Sequence, residues 1–515
     1  MALPFAMFLR GIDKTYLAIL LLCVILISSF SGPFTSSHPK TGVVGDLVYR
    51  AARHNGSIHA SSGVELGDVV ESHDTSPTHG LFNFYSEPWD PPGVSGLNDD
   101  RLKVIEPYMK AITDPGDGRF PRLRCPLPIK ERYKILRRRR SLATRWDTPP
   151  RRWFFALDLQ QCAPILPRLL ASVVETIRIL RPQDCALSIV ARPSNDGTLE
   201  ILERIREEMG TLNVSYYFST SDIDPYKEGS DYITEWAALR NLALDPLVRQ
   251  PELYDPDTTV VFLNDVAICT DDILELIYQK ASCLWWMVVY QNADMVCGMD
   301  WANQGETFND VGASRGMTGD MFVNTPRDGS ADPNNTMFRH DPRTKTRFEA
   351  RLPFQVYSCW NGGAVFTAKP LLRENITFRA SRPDECHMGE PLLLCKDFWK
   401  YGYGRIAVVP SVNVGYNDDE SRQTKKRYGF ATEIVQRVEQ DVDVRALRNS
   451  KIRWQATPPK NVKCETDFSH PTEDELDESK KAAAAEGEAN SAGSSDDTDK
   501  EQHHMIFEDG GGPDL

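Results

Sequence analysis

In Val260-Val261-Phe262-Leu263-Asn264-Asp265 a carboxylate follows an apolar run, which places it at the mouth of a buried strand. A diphosphate leaving group needs a divalent cation to neutralise its developing charge. One well-placed carboxylate, with phosphate oxygens and water, can hold that cation. Asp265 is therefore the candidate metal ligand; the alternative is that Asn264 and Asp265 only turn the chain. Asp271 and Asp272 stand just before Ile273-Leu274-Glu275-Leu276-Ile277 and read as helix caps, so Asp272→Asn is expected to cost ~1 kcal/mol.

Two further groups mix aromatic, amide and acidic side chains: Asp300-Trp301, and Trp360-Asn361-Gly362-Gly363. Sugars offer apolar CH faces to aromatic rings and hydroxyls to carboxylates and amides, so this mixture suits saccharide recognition. Trp301, Trp360, Asn361 and Gly362 are the candidate acceptor contacts, although both tryptophans also fit a plain core. The glycines permit close backbone approach or a turn.

The elements that must position these residues alternate. Trp153-Phe154-Phe155-Ala156-Leu157-Asp158-Leu159 reads as a buried strand, followed by apolar residues at helical spacing from Leu166 to Leu180. Strands over 185–190, 214–219 and 258–263 then alternate with helices over 199–209 and 232–244. Further strands are expected at 295–299 and 363–368. The pattern predicts an α/β domain with a mostly parallel nucleotide-binding sheet and helices on both faces. Ligands bind outside the carboxyl ends of such strands, which directs attention to the loops after Val190 and Leu263.

Around that domain the composition shifts. Residues 15–34 are apolar and uncharged, long enough for a transmembrane signal anchor; Arg10 and Lys14 precede them and favour a cytosolic tail over 1–14. A cleaved signal peptide is the rival reading. Residues 35–100 read as a stem, 101–464 as the catalytic domain and 465–515 as a disordered acidic tail. That tail holds 16 acidic and 3 basic side chains, so it carries nearly all of the net charge of -14. The one strong basic cluster, from Lys130 through Arg137, Arg138, Arg139 and Arg140 to Arg152, has no interleaved aromatic platform like those that bind single strands, so no nucleic-acid partner is expected. Arg139-Arg140 before Ser141 also has the form of a processing site.

Sequons at Asn55, Asn213, Asn334 and Asn375 agree with a lumenal body. Eleven cysteines include Cys23 in the apolar run; the other ten form no Cys-x-x-Cys pair and read as structural, with a connectivity that the sequence leaves open.

The ordered set of motifs resembles the fungal cryptococcal mannosyltransferase family, the capsule-associated α-1,3-mannosyltransferases of glycosyltransferase family 69. The resemblance is carried by Ser188-Ile189-Val190 with Ser194-x-Asp196-Gly197-Thr198, by Glu235-Trp236-Ala237-Ala238-Leu239-Arg240-Asn241, and by Phe262-Leu263-Asn264-Asp265-Val266. Ser358-Cys359-Trp360-Asn361-Gly362 and Glu385-Cys386 with Asp397-x-Trp399 complete it, from about Arg101 to about Asn417. It implies a GT-A-like fold, a GDP-mannose donor, Mn²⁺, a mannose-containing glycan acceptor and retention in an α-1,3 linkage, in a single-pass type II Golgi membrane protein. By position, Ser194, Asp196, Gly197 and Asn264 lie near the donor nucleotide, Arg240 near the diphosphate and Asp265 on the metal.

Retaining transfer needs the anomeric centre stabilised on the face opposite the leaving group, or leaving-group-assisted attack on the same face. A carboxylate could provide the former, and Asp300, Glu385 and Asp397 are the candidates, with Glu390 beside them, while His387 could join the metal. One departure stands out. Three residues before Ser194, where the family usually has an acid, this chain has Ala191, followed by Arg192 and Pro193. A carboxylate there could accept hydrogen bonds from ribose or base. Its absence keeps alive the alternative of a lumenal glycan-binding or assembly protein of the same fold without catalysis.

Overall fold

A computed structural model of the chain describes residues 99–137, 150–280, 292–323, 337–440 and 452–464. The chain divides into two compact units, Met1–Pro88 and Trp89–Leu515, and every described residue belongs to the second. The apolar run 15–34, the stem, the tail 465–515 and the Arg138–Arg140 cluster lie outside the described residues. Among those described, no helix is long and apolar enough to cross a membrane.

The elements follow in the order α1 (Asp99–Thr113), α2 (Lys130–Tyr133), β1 (Arg151–Leu159), α3 (Leu166–Leu180), β2 (Cys185–Ala191), α4 (Thr198–Thr211), β3 (Ser215–Thr220), α5 (Tyr232–Arg249) and β4 (Tyr254–Leu263). Then come α6 (Thr270–Lys280), β5 (Met295–Ala302), β6 (Thr307–Phe308), α7 (Pro342–Glu349), β7 (Phe354–Gln355), β8 (Gly363–Thr367), α8 (Lys369–Glu374), α9 (Glu390–Lys400), β9 (Ile406–Val414), α10 (Asp418–Tyr428) and α11 (Ala431–Gln440).

Alternation along β1 explains the layers. Phe155, Leu157 and Leu159 enter one core with Leu166, Leu169, Leu170 and Val173 of α3, whereas Phe154 and Ala156 enter a second with Leu239 and Ala243 of α5. A strand buried on both faces needs a continuous apolar run, and Trp153–Leu157 supplies it. The expectation of helices on both faces therefore holds.

The sheet order is β3-β2-β1-β4-β8-β5-β9-β7, with β6 paired to β5. Pairings from β3 through β4 are parallel, as is β5 with β9. The pairs β4·β8, β5·β8, β7·β9 and β5·β6 are antiparallel. The sheet is thus parallel in its first half and mixed in its second, which corrects the expectation of a mostly parallel sheet. The cause is local: Asn361 (φ 56°) and Gly362 (φ 73°) are both left-handed, and they turn the chain at the carboxyl edge so that β8 runs back beside β4. Only glycine fits at 362, where a Cβ would stand 3.0 Å from Val414 Cγ2, 3.1 Å from Val266 Cγ1 and 3.3 Å from Asp300 Cβ.

Among the described residues three disulfides join distant segments: Cys125–Cys269, Cys297–Cys359 and Cys386–Cys464. Cys162, Cys185 and Cys395 are free and buried. Each described cysteine is thus disulfide-bonded or buried, while Cys23 and Cys283 lie outside the described residues.

Candidate active site

Because β4, β5 and β9 share one direction with β1, the ends of all four strands and the start of β8 meet at one edge. That edge carries Asp158, Arg192, Asn264, Asp265, Asp300, Trp360, Asn361, Gly362 and Tyr416. The loops after β2 and β4 meet there.

Asp265 is the second residue after β4 and is half-buried. Burial raises its pKa, while Arg192 and Arg240 pull it down. Asn264 holds the turn from both sides: its N–H donates to Gly362 O at 3.0 Å and its Oδ1 accepts from Trp360 Nε1 at 2.9 Å. No hydrogen bond from another residue reaches the Asp265 carboxylate among the described residues, and the residue is only partly exposed. A free, partly desolvated carboxylate beside two arginines fits a divalent cation that bridges to a diphosphate.

Arg240 projects from α5. Its Nε donates to Glu390 Oε1 at 2.7 Å. Its guanidinium lies 4.6 Å from the Trp360 ring centroid, 5.7 Å from Phe262 and Phe378, and 5.9 Å from Trp236. Aromatic faces attract the cation and Glu390 fixes its rotation, so a planar fork is held ready for anionic oxygens.

Asp158, the penultimate residue of β1, was read only as part of a strand. Its side chain is 6% exposed and its nearest cation is Arg192, with Nε at 3.7 Å. Neither Asp158 oxygen has a hydrogen-bond partner. Burial raises its pKa against the pull of Arg192 and Arg240. Arg192 also donates to Gln160 Oε1 and stacks 4.7 Å from Trp236. Ala191 itself is buried and pairs in register with Leu159. Asp158 pairs with Val190, one position earlier, so it stands on the opposite face of the sheet from Ala191 and does not replace a carboxylate there. A single acid within the apolar run 153–159 was the signal for Asp158.

Asp300, near the end of β5, is fully buried. Its Oδ2 accepts from Tyr416 Oη at 2.8 Å and Asn309 Nδ2 at 3.3 Å, and its Oδ1 has no partner. Burial and the neighbouring Asp310 push its pKa up to about 7. Asp310 accepts from the Asn361 N–H at 2.6 Å, and burial raises its pKa as well. The Asp300–Asp310 pair can thus hold a proton near neutral pH. Asp310 and Tyr416 were not singled out in the sequence, because each gains its meaning only from the folded edge.

The remaining candidates separate. Ser194, Asp196 and Gly197 lie in the loop after β2 and are occupied within the protein. Ser194 Oγ accepts from Gln161 N at 3.0 Å. Burial opposes ionisation of Asp196, but the Thr198 hydroxyl and the Ala163 and Thr198 N–H groups outweigh it and lower its pKa. Gly197 (φ 96°) opens α4. This loop shapes the edge through its own turn.

Trp301 is a core residue, contrary to its acceptor assignment. It is 1% exposed, it stacks on Tyr428 at 4.3 Å, and its Nε1 donates to Asn413 Oδ1 at 2.9 Å. Asn361 has its side chain spent on Ser314 and Gly298 O, so it acts on the turn rather than on a ligand.

Glu385 and Asp397 are corrected too. Arg379 donates to both carboxylates, with Nε 2.7 Å from Asp397 Oδ2 and Nη1 2.5 Å from Glu385 Oε2. Arg379, helped by Lys396, holds Glu385 well below the usual carboxylate range. Both are ion-pair partners; of the acids in that segment, Glu390 is the one that reaches the edge through Arg240. His387 is exposed beside the Cys386 disulfide.

Asp271 and Asp272 hold no cation site. Cys269 beside them is in a disulfide, and both Asp272 oxygens accept from Lys425 Nζ at 2.7 Å. Of the sequons, Asn213 and Asn375 are exposed, while Asn55 and Asn334 lie outside the described residues.

Residues 152–397 match the family described as cryptococcal mannosyltransferase 1. The chain is 34% identical over 328 residues to the alpha-1,3-mannosyltransferase CMT1 of Cryptococcus neoformans var. neoformans serotype D (strain JEC21 / ATCC MYA-565), covering 61% of this chain and 67% of that relative. Among solved structures, S. aureus TarS aligns with TM-score 0.30 and 13% identity over 59% of this chain, which spans 44% of TarS. Mannosyltransferase PcManGT from Pyrobaculum calidifontis, solved in complex with GDP-Man and Mn2+, aligns with TM-score 0.29 and 12% identity, covering 62% of this chain and 85% of that one.

Proposed function

Because the chain belongs to the cryptococcal mannosyltransferase family, it is a glycosyltransferase, and we propose that it moves mannose from GDP-mannose to a mannose-containing glycan, in α-1,3 linkage with retention. The observation that carries this reading is the partly exposed Asp265 carboxylate, free of other hydrogen-bond partners among the described residues, set beside Arg240 in its aromatic cage. A cation-bridged diphosphate fits between an anionic and a cationic group placed in this way.

In this reading Asp265 would hold Mn²⁺, which when bound neutralises charge on the departing diphosphate. Arg240 offers its outer nitrogens to the diphosphate, while Glu390 fixes its orientation. Arg192, balanced by Asp158, adds positive charge on the β2 side. Trp360 and the Asn361-Gly362 turn hold Asn264, and so hold Asp265 at its height above the sheet. The Asp300–Asp310 pair and Tyr416 can hold or pass a proton on the β5 side, where an acceptor hydroxyl would approach.

The proposal extends to a GT-A-like fold and to topology. Residues 15–34 would anchor a type II protein in the Golgi membrane, with 101–464 in the lumen. Exposed Asn213 and Asn375 and three disulfides support an oxidising, glycosylating compartment. Protease applied to sealed microsomes should spare the body, and glycosidase should shorten it; digestion of the body would overturn the topology.

The test of function is incubation of the purified protein with GDP-mannose and mannobiose, with and without Mn²⁺. Metal-dependent formation of a trisaccharide is expected. Binding of GDP-mannose with neither hydrolysis nor transfer would favour the non-catalytic reading, to which Ala191 lends its weight.

A further inference from the structure

We propose that an open cavity flanked by residues 121–124, α10 and α11 is a second site, which binds an anion carrying more than one phosphate charge. The cavity encloses about 590 Å³ and is lined by Arg124, Arg422, Lys426, Arg427 and Arg437, with Glu433 as its sole acidic lining residue. Its volume is in the range of small-molecule sites, roughly 300–1,000 Å³, and exceeds what a single phosphate fills.

The walls are fixed from behind. Arg122, 7% exposed, donates to the carbonyls of Pro167 at 2.8 Å and of Asp114, Pro115 and Asp117 at 3.0 Å. The Cys125–Cys269 disulfide pins the same segment to the start of α6. On the facing wall, the buried Lys425–Asp272 ion pair anchors α10.

The charges in front are not balanced in the same way. Arg422 pairs with Asp419, and Arg427 reaches Glu306 only at 3.4 Å. Arg124, Lys426 and Arg437 have no acidic partner among the described residues. Basic residues in the last turn of α10 suit the helix dipole without any ligand, which accounts for Lys426 and Arg427. It does not account for Arg124, from a separate segment, or Arg437, from the next helix. Three segments bring like charges to one concavity, where they repel unless an anion sits between them. Arginine forks match phosphate oxygens bidentately, which selects phosphate chemistry. That phosphate could belong to a nucleotide or to a sugar.

The site is independent of the Asp265 edge, and so is its test. Titration calorimetry of the full-length protein with inorganic pyrophosphate in EDTA buffer, which removes metal-assisted binding at Asp265, should show saturable binding. Each of Arg124→Ala, Lys426→Ala and Arg437→Ala should weaken it by about tenfold, and Arg→Lys by less, whereas Asp265→Asn leaves it unchanged. These side chains are exposed and carry little packing, so the variants should melt with the wild type. GDP and mannose 6-phosphate, titrated separately, distinguish the sources: the one whose binding falls in the cavity variants is the ligand class. Absence of saturable pyrophosphate binding at millimolar concentration, or equal binding by the Arg124→Ala/Arg437→Ala protein, overturns the proposal.

Discussion

Arg192 Nε stands 3.7 Å from Asp158 Oδ1, and that carboxylate, buried at the end of β1, accepts no hydrogen bond from either side. The pair joins two parallel strands at the site edge with charge alone. Burial disfavours the Asp158 anion, so neutral Asp158→Asn should be within ~1 kcal/mol of wild type in stability at pH 8. It leaves Arg192 without its counter-charge, so the edge becomes more positive and GDP-mannose affinity should rise by about fivefold. Thermal melts and donor titration measure the two effects separately; unchanged affinity would remove Asp158 from the site.

Asp265→Asn and Asp272→Asn should behave in opposite ways. The first removes a proposed cation ligand from a half-buried strand end, so transfer should drop by ~10²-fold or more with little change in melting. The second strands Lys425, 2% exposed, beside a neutral amide. Breaking a buried pair costs about 3–5 kcal/mol, well above the ~1 kcal/mol expected of a plain cap. Loss of activity in Asp272→Asn without loss of stability would contradict this assignment.

Asp300 makes stability depend on pH with a definite sign. Its folded pKa, about 7, exceeds the ordinary carboxyl value, so the folded chain keeps a proton that the unfolded chain releases. This contribution is fully present below about pH 4 and is lost as the pH rises to about 7. Urea titrations at pH 5, 6 and 8 should show stability falling over that window, and Asp300→Asn should flatten the slope.

The boundary of the domain can be tested by truncation. The segment 452–464 is docked: Gln455 N–H donates to Gln355 Oε1 at 2.7 Å, Lys463 N–H to Gly319 O at 2.9 Å, and Cys464 is bonded to Cys386. A chain ending at residue 464 should melt with the full protein, because 465–515 offers few apolar residues. One ending at 461 loses a disulfide and should lose about 2–5 kcal/mol.

Much of this was legible in the sequence, for reasons visible in particular residues. β1, β2 and β4 each contain an apolar run, so they were found with their helices, and Asp265 was placed just past the strand end where it stands. Pairing direction was not legible, because Gly363–Thr367 has the same composition whichever way it runs; only the left-handed pair Asn361-Gly362 decides it. Helix α5 was expected to end at Leu244, yet it continues to Arg249 with Pro246 inside it. The fate of each acid depended on partners far away in sequence: Arg379 takes Asp397 and Glu385, Arg240 takes Glu390, and Lys425 takes Asp272. Neither spacing nor propensity encodes such partners.

The docked segment also bears on the order of assembly. Arg315, fully buried between β6 and β7, gives its Nε to Lys463 O at 2.9 Å, and the Cys386–Cys464 bond closes the same region. During synthesis every described strand of the sheet is therefore complete by Val414, well before the chain holds the residues that seal them. Completion must wait for residue 464 to emerge, and a ribosome stalled anywhere upstream would release a sheet without its clasp.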